Sequence, residues 1–180
     1  MSSHPGLFAL LLGAQFTALS PIVQRVHGGR PVMLHGSVDV TRGESWTARL
    51  LCRLARLPAA QRGARSRVHI EVFERRERWT RYFGTSAPMR STLHADRGRL
   101  VERMGPLGLS FDLREARGAL VWELVRATVF GLPVPRGWFR VSANVGERAG
   151  RYRFDVSVAL PRAGPVIAYR GELEESAGSS

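Results

Sequence analysis

From Val32 onward, apolar and polar residues alternate along most of the chain. Val32, Leu34, Val38 and Val40 fall on one side of an extended segment, and His35, Ser37, Asp39 and Thr41 on the other. A period of two marks a strand with one buried face. The rhythm returns at Val68, Ile70 and Val72, at Trp79 and Phe83, and at Met89, Leu93 and Ala95. It continues through Leu100 and Met104, then Leu107, Leu109, Phe111 and Leu113, then Leu120, Trp122 and Leu124. Phe139 to Val145, Tyr152 to Leu160, and Ile167 to Leu173 complete it. Turn residues separate the runs at Asp96-Arg97-Gly98, Glu115 to Gly118, Glu147 to Gly150 and Pro161 to Pro165. Pro133 and Pro135 exclude a central strand over Gly131–Gly137, which reads as a loop or sheet edge.

Two regions follow a helical period instead. Leu7, Phe8, Leu11, Leu12, Phe16 and Leu19 form one apolar face, and Ser20-Pro21 starts a second short helix that ends at Gly28-Gly29. Ser45 to Leu57 places Trp46, Leu50, Leu51, Leu54 and Leu57 on one face and Arg49, Arg53 and Arg56 on the other, with Pro58 closing it. The connections between strands are too short for crossover helices, so the strands pair antiparallel. The expected fold is α+β: a strongly curved antiparallel sheet or open barrel of about eight to nine strands, with N-terminal helices packed against it. One domain should cover residues 1–180, ordered over about 6–174, with a flexible tail at 175–180.

Charge adds a direction to this picture. The formal net charge is +12, and every basic residue is arginine. Such a field attracts anionic partners: acidic lipid headgroups, phosphates or nucleic acid. The arginine content also fits a compositional bias. Cys52 is the only cysteine, which excludes an internal disulfide and a multi-cysteine metal site and suits a reducing, cytoplasmic location. The apolar run Leu7–Leu12 is far short of a membrane span and has no basic residue before it, so no export signal is read.

Little catalytic chemistry stands out. His4, His27, His35, His69 and His94 are dispersed without metal-ligand spacing. His27 falls at a helix end, where as a cation it would suit the helix dipole. Asp39, Glu71, Asp112, Glu123 and Asp155 alternate with apolar neighbours and read as partners in cross-strand ion pairs. Glu102 differs, sharing a side with Leu100 and Met104. Phosphate loops, dinucleotide fingerprints and nucleophile elbows are absent, and no cofactor is expected.

Several phrases resemble a known family. They are Leu11-Leu12-Gly13 through Phe16, Leu19, Pro21 and His27; Gly98-Arg99-Leu100-Val101-Glu102-Arg103-Met104-Gly105-Pro106; Gly131-Leu132-Pro133-Val134-Pro135; Tyr152-Arg153-Phe154-Asp155-Val156; and Tyr169-Arg170-Gly171-Glu172-Leu173. Together they resemble the bacterial domain-of-unknown-function family numbered 4166, over roughly Leu7 to Leu173. The resemblance implies bacterial origin and association with NAD-binding-domain proteins, and brings no catalytic residues with it.

Three functions remain open. The first is binding of an apolar or amphipathic small molecule or lipid inside the curved sheet, with His35, His69, Trp79, Phe111, Trp122, Phe154 and Tyr169 as candidate lining residues. The second is an isomerase- or cyclase-like enzyme using polar groups in the same cavity. The third is binding to an anionic membrane surface or nucleic acid through Arg49, Arg53 and Arg56.

Overall fold

Tight turns fix the pairing of neighbouring strands. Arg97-Gly98 and Arg117-Gly118 both place two consecutive residues at positive φ, 50° and 76° in one and 54° and 80° in the other. That is the backbone twist of a two-residue hairpin, and glycine adopts its second position without strain.

The computed structural model describes residues 5–54, 56–135, 137–161 and 164–176. Its strands are β1 (Val32–Arg42), β2 (Gln61–Phe73), β3 (Arg76–Phe83), β4 (Met89–Asp96), β5 (Arg99–Met104), β6 (Leu107–Ala116), β7 (Ala119–Val129), β8 (Leu132–Pro133), β9 (Arg140–Arg148), β10 (Arg151–Leu160) and β11 (Gly164–Glu175). All pairings are antiparallel. Instead of an open or merely curved sheet of eight to nine strands, ten strands close into a barrel, and β8 is an additional strand on the edge of β7. Closure comes from the first and last strands, paired from Leu34 opposite Glu175 to Arg42 opposite Ile167. Alternation along a sequence is local and carries no sign of that long-range pairing.

The wall has one weak seam. β7 and β9 pair only through Leu120–Glu123 with Ser142–Val145. Beyond Glu123 the two strands part, and β8 lies beside β7 instead. A bulge at Val125 of β7, opposite the step from Ser110 to Phe111 of β6, leaves Val125 without a partner residue. It resets the alternation so that Trp122 and Val129 both face the interior.

Most inward positions are apolar, and outward positions carry residues such as Arg67, Glu71, Arg78, Asp112 and Glu123. That is the reverse of a membrane barrel, whose apolar band faces outward. No helix among the described residues is long and apolar enough to cross a membrane.

Helices treat the two ends differently. Where the hairpins β4–β5, β6–β7 and β9–β10 turn, the end is plugged by α1 (Leu7–Leu12), a 3-10 turn (Gly13–Ala18) and α2 (Pro21–Val26). The expected single helix through Leu19 changes at Gly13, where φ is 54°. Ser20 N–H donates to Gly118 O at 2.8 Å, and Glu115 N–H to Gln15 Oε1 at 3.1 Å. Phe8, Val23 and His27 are completely buried in this plug.

The opposite end carries α3 (Trp46–Leu54), inserted between β1 and β2. Its buried residues are Ala48 and Cys52, while Trp46, Leu50 and Leu54 are 70%, 47% and 61% exposed. The large apolar stripe expected to pack inward therefore faces solvent. Small side chains let the helix lie close to β11, where Cys52 Sγ sits 3.6 Å from Val166 O. Of the large residues of that stripe, Leu51 and Leu57 turn partly inward. Burial raises the Cys52 pKa, against the opposing pull of Arg42, so the thiol acts as a small apolar group. At the C-terminus, β11 runs through Glu175, and Ser176 N–H donates to Met33 O. The rest of the expected tail, 177–180, lies outside the described residues.

Candidate functional site

Strands of a ten-stranded barrel leave more interior than their inward side chains fill. The remainder here is a cavity of about 680 Å³ that opens at the α3 end. Leu109, Phe111, Val145, Phe154, Val156 and Leu173 are among its apolar walls. Trp79, Phe111, Trp122, Phe154 and Tyr169, all singled out from the sequence, line it together. His35 and His69 do not. They alternate with inward Leu34, Val68 and Ile70 and so point outward. His35 Nε2 lies 3.2 Å from Glu174 in solvent, and the His69 ring packs on Tyr82.

Two charged groups stand inside this apolar wall. Arg81 on β3 donates through Nη1 to Ser91 Oγ at 2.9 Å and through Nη2 to Glu102 Oε1 at 3.0 Å. Each charged side chain keeps only 9% of its surface exposed. Ser91 on β4 makes the reach possible: a larger residue would block the path of the guanidinium from β3 to β5. The guanidinium also lies 4.7 Å from the centre of the Trp79 ring. Tyr152 and Tyr169 flank the pair, and burial raises the pKa of both phenols, keeping them neutral donors. Trp122 Nε1 is buried and has no acceptor among the described residues.

Nothing in the sequence reading picks out Arg81. The signal is nonetheless present, because Arg81 has the same parity as Trp79 and Phe83. Glu102 is the carboxylate whose parity departs from the others, and it is the one that enters the cavity. Asp112, Glu123 and Glu71 instead pair on the outside with Arg99, Arg114 and Arg78. Exposed pairs of this kind contribute roughly 0–1 kcal/mol each.

The floor beneath the cavity is aromatic. Phe8 from α1 packs its ring 4.2 Å from His27, 5.7 Å from Trp122 and 6.3 Å from Trp79, centre to centre. His27 Nε2 and Tyr152 Oη are 3.0 Å apart. Burial lowers the His27 pKa to about 3, so the ring is neutral there. The sequence reading of His27 as a cation against a helix dipole is therefore replaced by a neutral ring in an apolar plug. Close by, Glu77 accepts from Trp79 Nε1 at 2.8 Å, and its burial raises the pKa to about 7.

The rim combines apolar and basic groups. Leu54, Arg56, Leu57, Arg90, Pro106 and Phe130 border the opening. Phe130 is 81% exposed and sits at φ 51°, an uncommon backbone state for a bulky residue. Leu132 and Trp138, 72% and 63% exposed, follow it on the connection from β7 to β9. Arg49, Arg53 and Arg56 are all exposed beside the apolar stripe of α3. Chemically, the interior suits an apolar body carrying one polar group, and the ion pair is the feature placed to receive that group.

No curated protein and no solved structure matches this chain. A family model does match, over residues 19–173, and its description is Domain of unknown function (DUF4166). That span takes in α2, nine barrel strands whole and β11 as far as Leu173, and the phrases quoted above from Gly98 to Leu173 fall within it, so the chain belongs to the DUF4166 family.

Proposed function

We propose that this barrel is a carrier for one amphipathic small molecule with an uncharged polar group, such as a long-chain alcohol or amide. The observation that carries the reading is a mouth-accessible apolar cavity holding a single buried ion pair. Its volume of about 680 Å³ lies within the roughly 300–1,000 Å³ of small-molecule pockets. The pair Arg81–Glu102 is already balanced in charge. A hydroxyl or amide can accept from the guanidinium and donate to the carboxylate, adding no net charge. A carboxylate ligand would bring an unbalanced charge into an apolar interior, which is costly.

Two measurements test this. Native mass spectrometry of the purified protein, before and after organic extraction, should show one removable small molecule per chain. Dodecanol should then displace Nile red from the extracted protein at about tenfold lower concentration than dodecanoate. Ala143→Phe, which fills the cavity from β9, should weaken Nile red binding by about tenfold or more while leaving the far-ultraviolet circular dichroism unchanged. Equal dye binding by this variant would place the dye outside the barrel and sink the reading.

A further inference from the structure

We infer that the mouth end of the barrel docks on an anionic lipid bilayer. The inference concerns a surface and does not depend on which molecule the cavity holds. Three observations converge on that end.

The first is a stripe on α3. Trp46, Leu50 and Leu54 recur every four residues and are all exposed, and Arg49, Arg53 and Arg56 run beside them. The second is the connection from β7 to β9, which presents Phe130, Leu132 and Trp138 to solvent at the same end. Leu54 and Phe130 both border the cavity opening, so the two apolar groups meet across one mouth. Six large exposed apolar side chains around a single opening are not the scattered surface hydrophobes of an ordinary soluble face.

The third observation is the placing of charge along the barrel axis. Four connections at the mouth span residues 43–60, 84–88, 105–106 and 130–139, and Glu44 is their only carboxylate. Arg49, Arg53 and Arg56 stand there, with Arg62, Arg90 and Arg140 on the adjoining strand ends, all exposed. The plugged end mixes both signs instead, with Glu74, Asp96, Glu115, Glu147, Glu174 and Glu175 set among Arg30, Arg75, Arg97, Arg117, Arg148 and Arg151. The mouth, where arginine is almost unopposed by carboxylate, is therefore the end drawn to an anionic surface. Apolar residues beside arginine on a short helix are the composition that inserts at the headgroup boundary. Nucleic acid would use the arginines but has no place for Leu50, Leu54, Leu132 and Phe130.

The test is co-sedimentation of the full chain with phosphatidylcholine vesicles, with and without phosphatidylglycerol. Binding is expected to the anionic vesicles only, and to fall steeply as salt is raised. Arg49→Gln, Arg53→Gln and Arg56→Gln together should weaken it by roughly a hundredfold, about fivefold for each arginine. Leu50→Ser, Leu54→Ser and Phe130→Ser together should also abolish it, whereas Arg75→Gln with Arg97→Gln at the plugged end should not. All six mouth changes are exposed, so melting curves should stay near that of the parent. Brominated lipid should quench part of the tryptophan fluorescence, and Trp46→Phe with Trp138→Phe should remove that quenching, leaving buried Trp79 and Trp122 unaffected. Absence of binding at low salt would overturn the inference. So would full binding by the serine triple variant, which would point to a purely electrostatic partner such as nucleic acid. A dimer in solution that the serine variant disperses would assign the apolar rim to a second copy and also overturn it.

Discussion

Glu102→Leu is expected to cost about 3–5 kcal/mol of stability, a large share of the roughly 5–15 kcal/mol that holds a typical domain folded. The reason lies in what stays behind. Arg81 has 9% of its side chain exposed, and its Nη2 would lose its carboxylate within a largely apolar wall. Ser91 would still accept from Nη1, but a neutral hydroxyl does not balance a charge. The double variant Arg81→Met with Glu102→Leu should behave oppositely. Both charges go, apolar surface replaces them, and stability should return to that of the parent or exceed it. Urea unfolding followed by tryptophan fluorescence measures all the needed values, and the cycle gives the coupling energy directly. A double variant as unstable as the single one would show that the pair contributes through its own attraction. If the stable double variant also loses its preference for dodecanol over dodecane, the ion pair serves the ligand at the expense of the fold.

The second large effect is on pH dependence, through two buried groups near the plug. Burial lowers the His27 pKa from 6.5 to about 3. Below pH 6.5 the unfolded chain binds a proton that the folded chain refuses until about pH 3, so stability falls as pH falls through that window. Glu77 does the reverse: burial raises its pKa from 4.5 to about 7, against the hydrogen bond from Trp79. Above pH 4.5 the unfolded chain releases a proton that the folded chain keeps, so stability falls as pH rises towards 7. Between pH 4.5 and 6.5 the two slopes oppose each other, and the parent should show a plateau there. Glu77→Gln removes only the second slope. The amide oxygen can still accept from Trp79 Nε1. The variant should match the parent near pH 4 and exceed it at about pH 8 by on the order of 3 kcal/mol. Urea melts at three pH values would measure it. A variant less stable than the parent at the higher pH would mean that the folded state favours the charged carboxylate, so that burial does not raise the Glu77 pKa.

Strand parity explains how much of this was legible in the sequence. Alternation placed Phe111, Trp122, Phe154 and Tyr169 on inward faces, and all four line the cavity. Parity also carried Arg81 and Glu77, which share a side with Trp79 and Phe83, but charged residues on an apolar face are easily discounted. Closure was not legible, because β1 and β11 lie at opposite ends of the chain and nothing local records their pairing. The face of α3 went the other way for a steric reason. Helical periodicity marks the stripe richest in large apolar residues, yet the packed stripe here is Ala48 and Cys52, which fit the narrow gap above β11. His27 followed the same logic: its position beside a helix end suggested a cation, and complete burial made it neutral.

The short pairing of β7 with β9 makes the barrel a spring clip rather than a rigid tube. Nine of the ten ladders can hold while this one slackens, since β8 already shields the far half of β7 and Pro133 denies it a donor for further pairing. Amides facing the seam should therefore exchange with solvent by local opening, long before those of β1 and β11 exchange by global unfolding. A cargo that presses on Phe139 and Val141, which border both the seam and the cavity, would set the tension of that clip.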